Sequence, residues 1–435
     1  MSGQSFSIYG RKFDTINVVI LTTIVGTILQ FFCTYLMTHS MTVADYGDFK
    51  VIRSFGEIGS ILIILGGGRG ALFFVPDWQA QNRSDLTWQY IRFYLSIALC
   101  IAVISVVALT IVQSILKSFE VDMGIYGSYA LLIAILGLPL AGASLLNIKI
   151  LQIYGKVVPG LMTQWVLFPL ALAAILIPYR FFEGHITVLV AVAAVFIVQC
   201  TIFASQFFLL HRQDIRPKKM QDCESSWPQW LRFSIPVMMA GVMQQLVIRT
   251  DIFMLEILGD EADVGLFGLC SLGASILLVI KIAVSSTTTQ YMKQAYKDGN
   301  AGMLELTVKG NRRLLMFCLP LAAATILFGK DALVSFGAEY ARADLALQIL
   351  MAGYIIQTLF LLPLLWLEYT GKKNLAVSIM IFITILNIAL NVALIPLWQL
   401  NGAAVGTAIS LTVGALLSAY FTWKHLKIIP WSIQS

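Results

Sequence analysis

Asp45-Tyr46-Gly47-Asp48-Phe49 recurs as Asp263-Val264-Gly265-Leu266-Phe267, 218 positions later, and Ile177-Pro178 recurs as Ile395-Pro396 at the same offset. Gly155-Lys156 and Gly371-Lys372 form a third match at nearly that spacing. Three coincidences at one period read the chain as two copies of one half-unit. In a sequence this apolar, internal duplication points to a membrane transporter.

The 435 residues are 58% hydrophobic and 12% charged, where a soluble domain carries about 25% charged residues. Apolar stretches of about 20 residues, the length a helix needs to cross the hydrocarbon core, recur throughout. Twelve are expected: roughly 15–38, 49–74, 88–113, 125–147, 157–178 and 186–210, then 233–257, 264–290, 312–329, 345–367, 374–396 and 402–423. The expectation is an all-α polytopic membrane protein of two parallel six-helix repeats. An even number of spans returns each copy to its starting side, so the repeat axis lies along the membrane normal. The lobes are expected over 1–210 and 233–435, joined by a basic linker, 211–232, that contains Arg216-Pro217-Lys218-Lys219. A cavity between the halves is the expected substrate path.

Lys and Arg divide unevenly between the two sides of these spans. We count 20 on one side, among them Arg83, Arg92, Lys149, Arg212 and Lys309, and 5 on the other, including Lys50, with 4 of the 29 inside spans. Basic residues near span ends are retained in the cytoplasm, so both termini are expected there. The net charge of +6 then needs no nucleic-acid partner, because basic loops face anionic lipid headgroups. The polar start, Met1–Asp14, leads into a span too long for a signal h-region, so the first span is expected to stay as an anchor.

Six cysteines lie singly, without the spacing of a zinc site or a disulfide framework, and packing is their expected role. Seven of nine Trp, at 78, 88, 227, 230, 366, 398 and 423, fall near span ends and read as interfacial anchors. Trp165, mid-span, either packs or stacks on a sugar ring. Pro139, Pro169, Pro236, Pro320 and Pro363 favour kinks.

No P-loop, HExxH or GxSxG pattern is present, which argues against nucleotide hydrolysis and against a catalytic enzyme, and no cofactor or metal site is called for. Gly66-Gly67-Gly68-Arg69-Gly70 lacks P-loop spacing; its glycines allow close helix approach, unwinding or, less specifically, a phosphate nest.

The candidates for function are ionisable residues inside spans, each of which costs about 2.5–3.5 kcal/mol to insert and so faces a cavity or a partner. Arg53 and Glu57 stand four apart, so they either neutralise each other or serve a substrate and a proton in turn. Arg249 and Asp251 are two apart, about 200° around a helix, and each needs a partner elsewhere. Lys281 has no acid three or four residues away. Glu256 and Glu368 read as interfacial.

The chain resembles the polysaccharide and O-antigen unit flippases of the multidrug/oligosaccharidyl-lipid/polysaccharide (MOP) exporter superfamily. The likeness rests on Asp45-Tyr46-Gly47, on Arg249-Thr250-Asp251 with Val264-Gly265-Leu266-Phe267, and on Gly371-Lys372-Lys373. Its most specific part is Leu386-Asn387-Ile388-Ala389-Leu390-Asn391-Val392-Ala393-Leu394-Ile395-Pro396, followed by Gly402-Ala403-Ala404-Val405-Gly406-Thr407-Ala408. The resemblance implies a MATE-like two-lobe transporter in the bacterial inner membrane. It would move an undecaprenyl-diphosphate-linked oligosaccharide, a precursor of O-antigen, lipopolysaccharide, capsule or exopolysaccharide, to the periplasmic leaflet by ion-coupled alternating access. Membrane lipids surround it, and polymerase and chain-length machinery are the implied partners. On that reading Arg53, Arg69, Arg249 and Lys281 meet the anionic head, and Glu57 and Asp251 couple the ion. Two rivals are a multidrug/cation antiporter of the same superfamily, which would want an acidic cavity, and a membrane scaffold for a polysaccharide synthase, which would need neither the repeat nor unpaired interior charge.

Overall fold

The structure is a computed structural model that describes residues 5–8, 11–119, 128–212, 227–429 and 432. A short antiparallel ribbon, β1 (Ser5–Ile8) and β2 (Arg11–Asp14), precedes the helices and is the one addition to an otherwise helical architecture among the described residues. The first half runs α1 (Thr15–Thr38), α2 (Val43–Ile63), α3 (Gly67–Ala80), α4 (Ser84–Ser118), α5 (Tyr129–Ile153), α6 (Val157–Met162), α7 (Phe168–Glu183) and α8 (Val188–His211). The second runs α9 (Trp227–Leu258), α10 (Glu261–Ala274), α11 (Ile276–Lys297), α12 (Gly299–Val334), α13 (Asp344–Leu359), α14 (Leu361–Tyr369) and α15 (Lys373–Leu426).

Nine of the described helical stretches are long and apolar enough to cross a membrane, and two bent pairs raise the number to eleven. The twelfth is folded into α15. Its 54 residues would extend about 80 Å as one straight helix, against a hydrocarbon core of about 30 Å. At Gln399 the backbone leaves helical geometry (φ 48°, ψ −126°). Gly402 packs on the Leu394 carbonyl, Gly406 on Asn391 and Gly414 on Ile383. Partners that step away from Gln399 in opposite directions define an antiparallel hairpin, so α15 holds two spans.

Other breaks follow from local chemistry. The second expected span is interrupted after Ile63, where Leu65 (φ 44°) and Gly66 (φ 75°) are left-handed before α3 begins. The freed Gly67 carbonyl accepts a bond from the Tyr90 hydroxyl at 2.8 Å. Tyr94, Tyr90 and Ser234 lie where side chains on Gly67 and Gly70 would stand. The glycine run is therefore a packed break, not an open phosphate cradle. Residues Thr163–Leu167 form one widened π turn that carries the half-buried Trp165, four residues before Pro169, which has no N–H to bond the Trp165 carbonyl. The 42° bend at Phe360 precedes Pro363, which cannot bond the Leu359 carbonyl. The repeated Gly-Lys pairs end α5 and α14 identically: Gly155 (φ 76°) and Gly371 (φ 80°) are left-handed, and Lys156 and Lys372 donate backbone N–H groups to Leu151 and Leu367. A glycine is favoured there because such a cap costs it no Cβ clash.

By packing, the chain divides into two units. One comprises Ile28–Met41 and Asp48–Arg249, and the other comprises Thr42–Gly47, Thr250–Ser435 and the described part of Gln4–Thr27. This division falls inside α9, which begins at Trp227, and residues 213–226 of the expected linker lie outside the described residues. The repeat mates α1 and α9 are split alike, each giving its N-terminal part to one unit and its C-terminal part to the other.

In the first unit, α3, α4, α5, α8 and α9 meet on a core of Val75, Tyr90, Tyr94, Leu146, Ile150 and Trp230. Trp230, expected at the interface, is core instead, as is Trp366, whose indole donates to Thr307 at 2.9 Å. Both find apolar walls on several helices, which outweighs the headgroup preference of an indole at a span end. The described cysteines, five of six, are free thiols, and Cys223 lies outside the described residues.

Candidate functional site

In the first unit α2 carries Lys50, Arg53 and Glu57 at successive turns, so the three share one face. Arg53 Nε donates to Glu57 Oε1 at 3.4 Å, and Arg249 Nη2 of α9 meets Glu57 Oε2 at 2.5 Å. α9 brings Arg249 there through a 60° bend over residues 244–247. Lys50 is electrostatically coupled to both arginines and to Glu57. Two arginines thus hold one carboxylate on membrane helices, with Lys50 one turn from Arg53 on the same face of α2. None of the three bonded side chains is more than 29% exposed. The Arg53 guanidinium also lies 5.3 Å from the centre of the Phe168 ring. Arg249 Nε is buried without a hydrogen-bond partner.

Arg53, Glu57 and Arg249 are thus brought together. Arg69 is not part of this group: it lies on α3 beyond the glycine break, with its guanidinium against Gly241 of α9, and couples to Lys149.

In the second unit Asp251 of α9 is 3% exposed and held by three neutral donors. Asn391 Nδ2 donates to Oδ1 at 2.6 Å, Asn387 Nδ2 to Oδ1 at 3.1 Å, and Thr407 Oγ1 to Oδ2 at 2.7 Å. The two asparagines lie one turn apart on the first arm of α15, and Thr407 lies on the second arm. The hairpin turn is therefore what closes the cage. Asn391 Oδ1, beside the carboxylate, has no hydrogen-bond partner.

Lys281 of α11 also belongs to the second unit. Its ammonium donates to Gln357 Oε1 at 2.5 Å and lies 5.9 Å from the centre of the Tyr354 ring, both on α13. It makes no ion pair among the described residues, so the ammonium is held by an amide and an aromatic face.

Sequence reasoning passed over Lys50, assigned to a loop count, the cage residues Asn387, Asn391 and Thr407, and Gln357, which holds Lys281. A signal for the cage was present: two amides four residues apart in an apolar span need partners, because membrane interiors supply none.

No known family profile matches the chain. Its fold is similar, at TM-score 0.71 and 15% identity, to an inward-facing multidrug resistance MATE family transporter of the MOP superfamily, over 94% of this chain and 98% of that one. It is similar, at TM-score 0.72 and 13% identity, to the lipid II flippase MurJ in an inward closed conformation, over 93% and 87% of the two chains. The chain shares the fold of these two solved transporters. In sequence the chain is 24% identical over 180 residues to the probable low-salt glycan biosynthesis flippase Agl15 of Haloferax volcanii, a match that covers 41% of this chain and 38% of that protein.

Proposed function

We propose that the chain is a flippase that carries a polyprenyl-diphosphate-linked oligosaccharide across the membrane by ion-coupled alternating access. The observation that carries this reading is the cluster on α2 and α9, where Arg53 and Arg249 both meet the single carboxylate of Glu57 and so leave a net positive charge. A diphosphate is the anion that such an excess complements, and guanidinium forks bind phosphate oxygens in pairs. The unpartnered Arg249 Nε adds a donor ready for that anion. When the head arrives, the arginines exchange Glu57 for phosphate, and the released carboxylate takes up a proton. Arg69 and Lys281 are further cations for the acidic or phosphorylated parts of the head.

Asp251 is the second coupling group. Ringed by neutral donors, it can exchange a proton or a small cation without breaking an ion pair, and the free Asn391 oxygen offers a further ligand. The same buried acid supports the rival reading, a cation-driven drug antiporter, and the solved MATE transporter shares the fold.

The similarity to Agl15, named as a glycan biosynthesis flippase, supports a glycan cargo. The narrower proposal is an undecaprenyl carrier bearing an O-antigen or capsular unit, moved from the cytoplasmic leaflet of a bacterial inner membrane, with both termini cytoplasmic. Deleting the gene in its own host tests the reading. Lipid-linked oligosaccharide should accumulate on the cytoplasmic leaflet while surface glycan disappears, and the intact chain should reverse both. Normal surface glycan with altered sensitivity to cationic drugs would favour the antiporter.

A further inference from the structure

Arg53 rests on an aromatic ring as well as on a carboxylate. Its guanidinium carbon lies over the Phe168 ring, 5.3 Å from the centre and inside the roughly 6 Å at which a cation is attracted to an aromatic face. Phe168 is 7% exposed and the Arg53 side chain 29%, so the ring is fixed by packing while the cation above it keeps open surface.

The ring is delivered by an irregular backbone. Phe168 closes the widened turn Thr163–Leu167: its N–H donates to the Thr163 carbonyl, five residues back, where an α-helix would use the fourth. One inserted residue turns everything beyond it by about 100°, so this turn sets the direction in which Phe168 leaves the helix. Both ends of the turn are gripped from other helices. The buried Gln206 of α8 donates through Nε2 to Thr163 Oγ1 and to Ser144 Oγ of α5, each at 2.9 Å. The buried Cys33 of α1 donates through Sγ to the Pro169 carbonyl at 3.0 Å. All these groups belong to the first unit. Widened turns are frequent at functional sites, and the side chain delivered here meets a charge of the candidate site.

Glu57 and Phe168 hold Arg53 by different physics. A carboxylate competes with phosphate for the same N–H donors, whereas the ring attracts the cation through its face and leaves those donors free. Without the ring, Arg53 would be loose whenever it is not paired, and its side chain would have to be ordered again at each change of anion. We propose that Phe168 is the positioning residue of the anion site: it keeps the Arg53 guanidinium in place while Glu57 leaves and a phosphate enters. This role rests on the flippase reading, in which the arginines exchange Glu57 for phosphate.

The test is calorimetric titration of the purified chain in detergent with inorganic pyrophosphate, with mono-, di- and trifluorophenylalanine placed at position 168. Fluorine withdraws negative charge from the ring face and nearly preserves its shape, so affinity should fall stepwise with each fluorine, whereas a packing role would leave it flat. Phe168→Leu should weaken binding by roughly fivefold to thirtyfold, the range of one desolvated cation–π contact, and Phe168→Tyr should keep most of the affinity. In Arg53→Gln, whose own affinity should be lower, neither fluorination nor Phe168→Leu should have a further effect. The fluorinated rings keep the packing, so they decide the matter if Phe168→Leu fails to fold. Affinity that ignores fluorination, or that falls equally with Phe168→Leu whether or not Arg53 is present, would overturn the proposal and leave the flippase reading standing. A wild type that binds no pyrophosphate would instead overturn the diphosphate cargo, and this role with it.

Discussion

Gly47 and Gly265, the glycines of the repeated signature, pack backbone to backbone: a Cβ on Gly47 would meet the Glu261 carbonyl and the Gly265 N, and one on Gly265 would meet the Val43 carbonyl and the Gly47 N. Small residues at such a crossing let helices approach closely without a hydrophobic drive in lipid. Gly47→Ala or Gly265→Ala should therefore cost about 2 kcal/mol or more, a loss on the scale of a disrupted core contact. Gly56→Ala, on the same α2 but with nothing within 4 Å of the added carbon, should be neutral or slightly stabilising. Thermal unfolding midpoints of the three purified variants check this.

The two arginines at Glu57 differ in reach. Arg249 approaches to 2.5 Å from another helix, whereas Arg53 is 3.4 Å away along its own helix. Double-mutant cycles on stability should give a coupling of about 1–3 kcal/mol for Arg249–Glu57 and below about 1 kcal/mol for Arg53–Glu57. Equal couplings would mean that Glu57 is shared evenly and that the bend in α9 adds nothing.

Asp251 is stabilised by donors and so should tolerate loss of charge better than loss of oxygen. In Asp251→Asn one oxygen remains for Asn391 and the Thr407 hydroxyl can turn to accept, so the fold should persist while gradient-driven transport is lost. Asp251→Ala strands three buried donors at about 1–3 kcal/mol each, and expression should fall with it. Gradient-dependent transport that survives in both Asp251→Asn and Glu57→Gln would remove these acids from coupling.

Lys281 meets an amide, which also accepts from guanidinium. Lys281→Arg should keep much of the activity, and Lys281→Ala, at equal membrane abundance, should lower surface glycan if the cation serves the cargo. Gln357→Leu should have the milder phenotype, since it removes a holder and leaves the charge.

The apolar runs, the 218-residue period and the cap glycines were open to sequence reading because each is a local requirement. Hydrocarbon thickness sets span length, and a left-handed cap selects glycine at 155 and 371. The Asp251 cage was not readable in the same way. Its donors stand 136–156 residues from the acid and converge only because α15 reverses at Gln399. Lys50 was missed for a related reason: as the second residue of an expected span beginning at 49 it looked interfacial, whereas α2 begins at Val43 and places it two turns inside the helix.

The most direct test of the account is to reconstitute the purified chain in vesicles that carry a polyprenyl-diphosphate-linked oligosaccharide, impose an ion gradient, and follow exposure of the saccharide to a membrane-impermeant lectin. The wild type should move the lipid across the bilayer, Arg53→Ala with Arg249→Ala should abolish movement, and the single Lys-for-Arg variants should be impaired but active. Movement of the lipid at wild-type rate by a folded double variant, or no movement by the wild type under any gradient, would contradict the account.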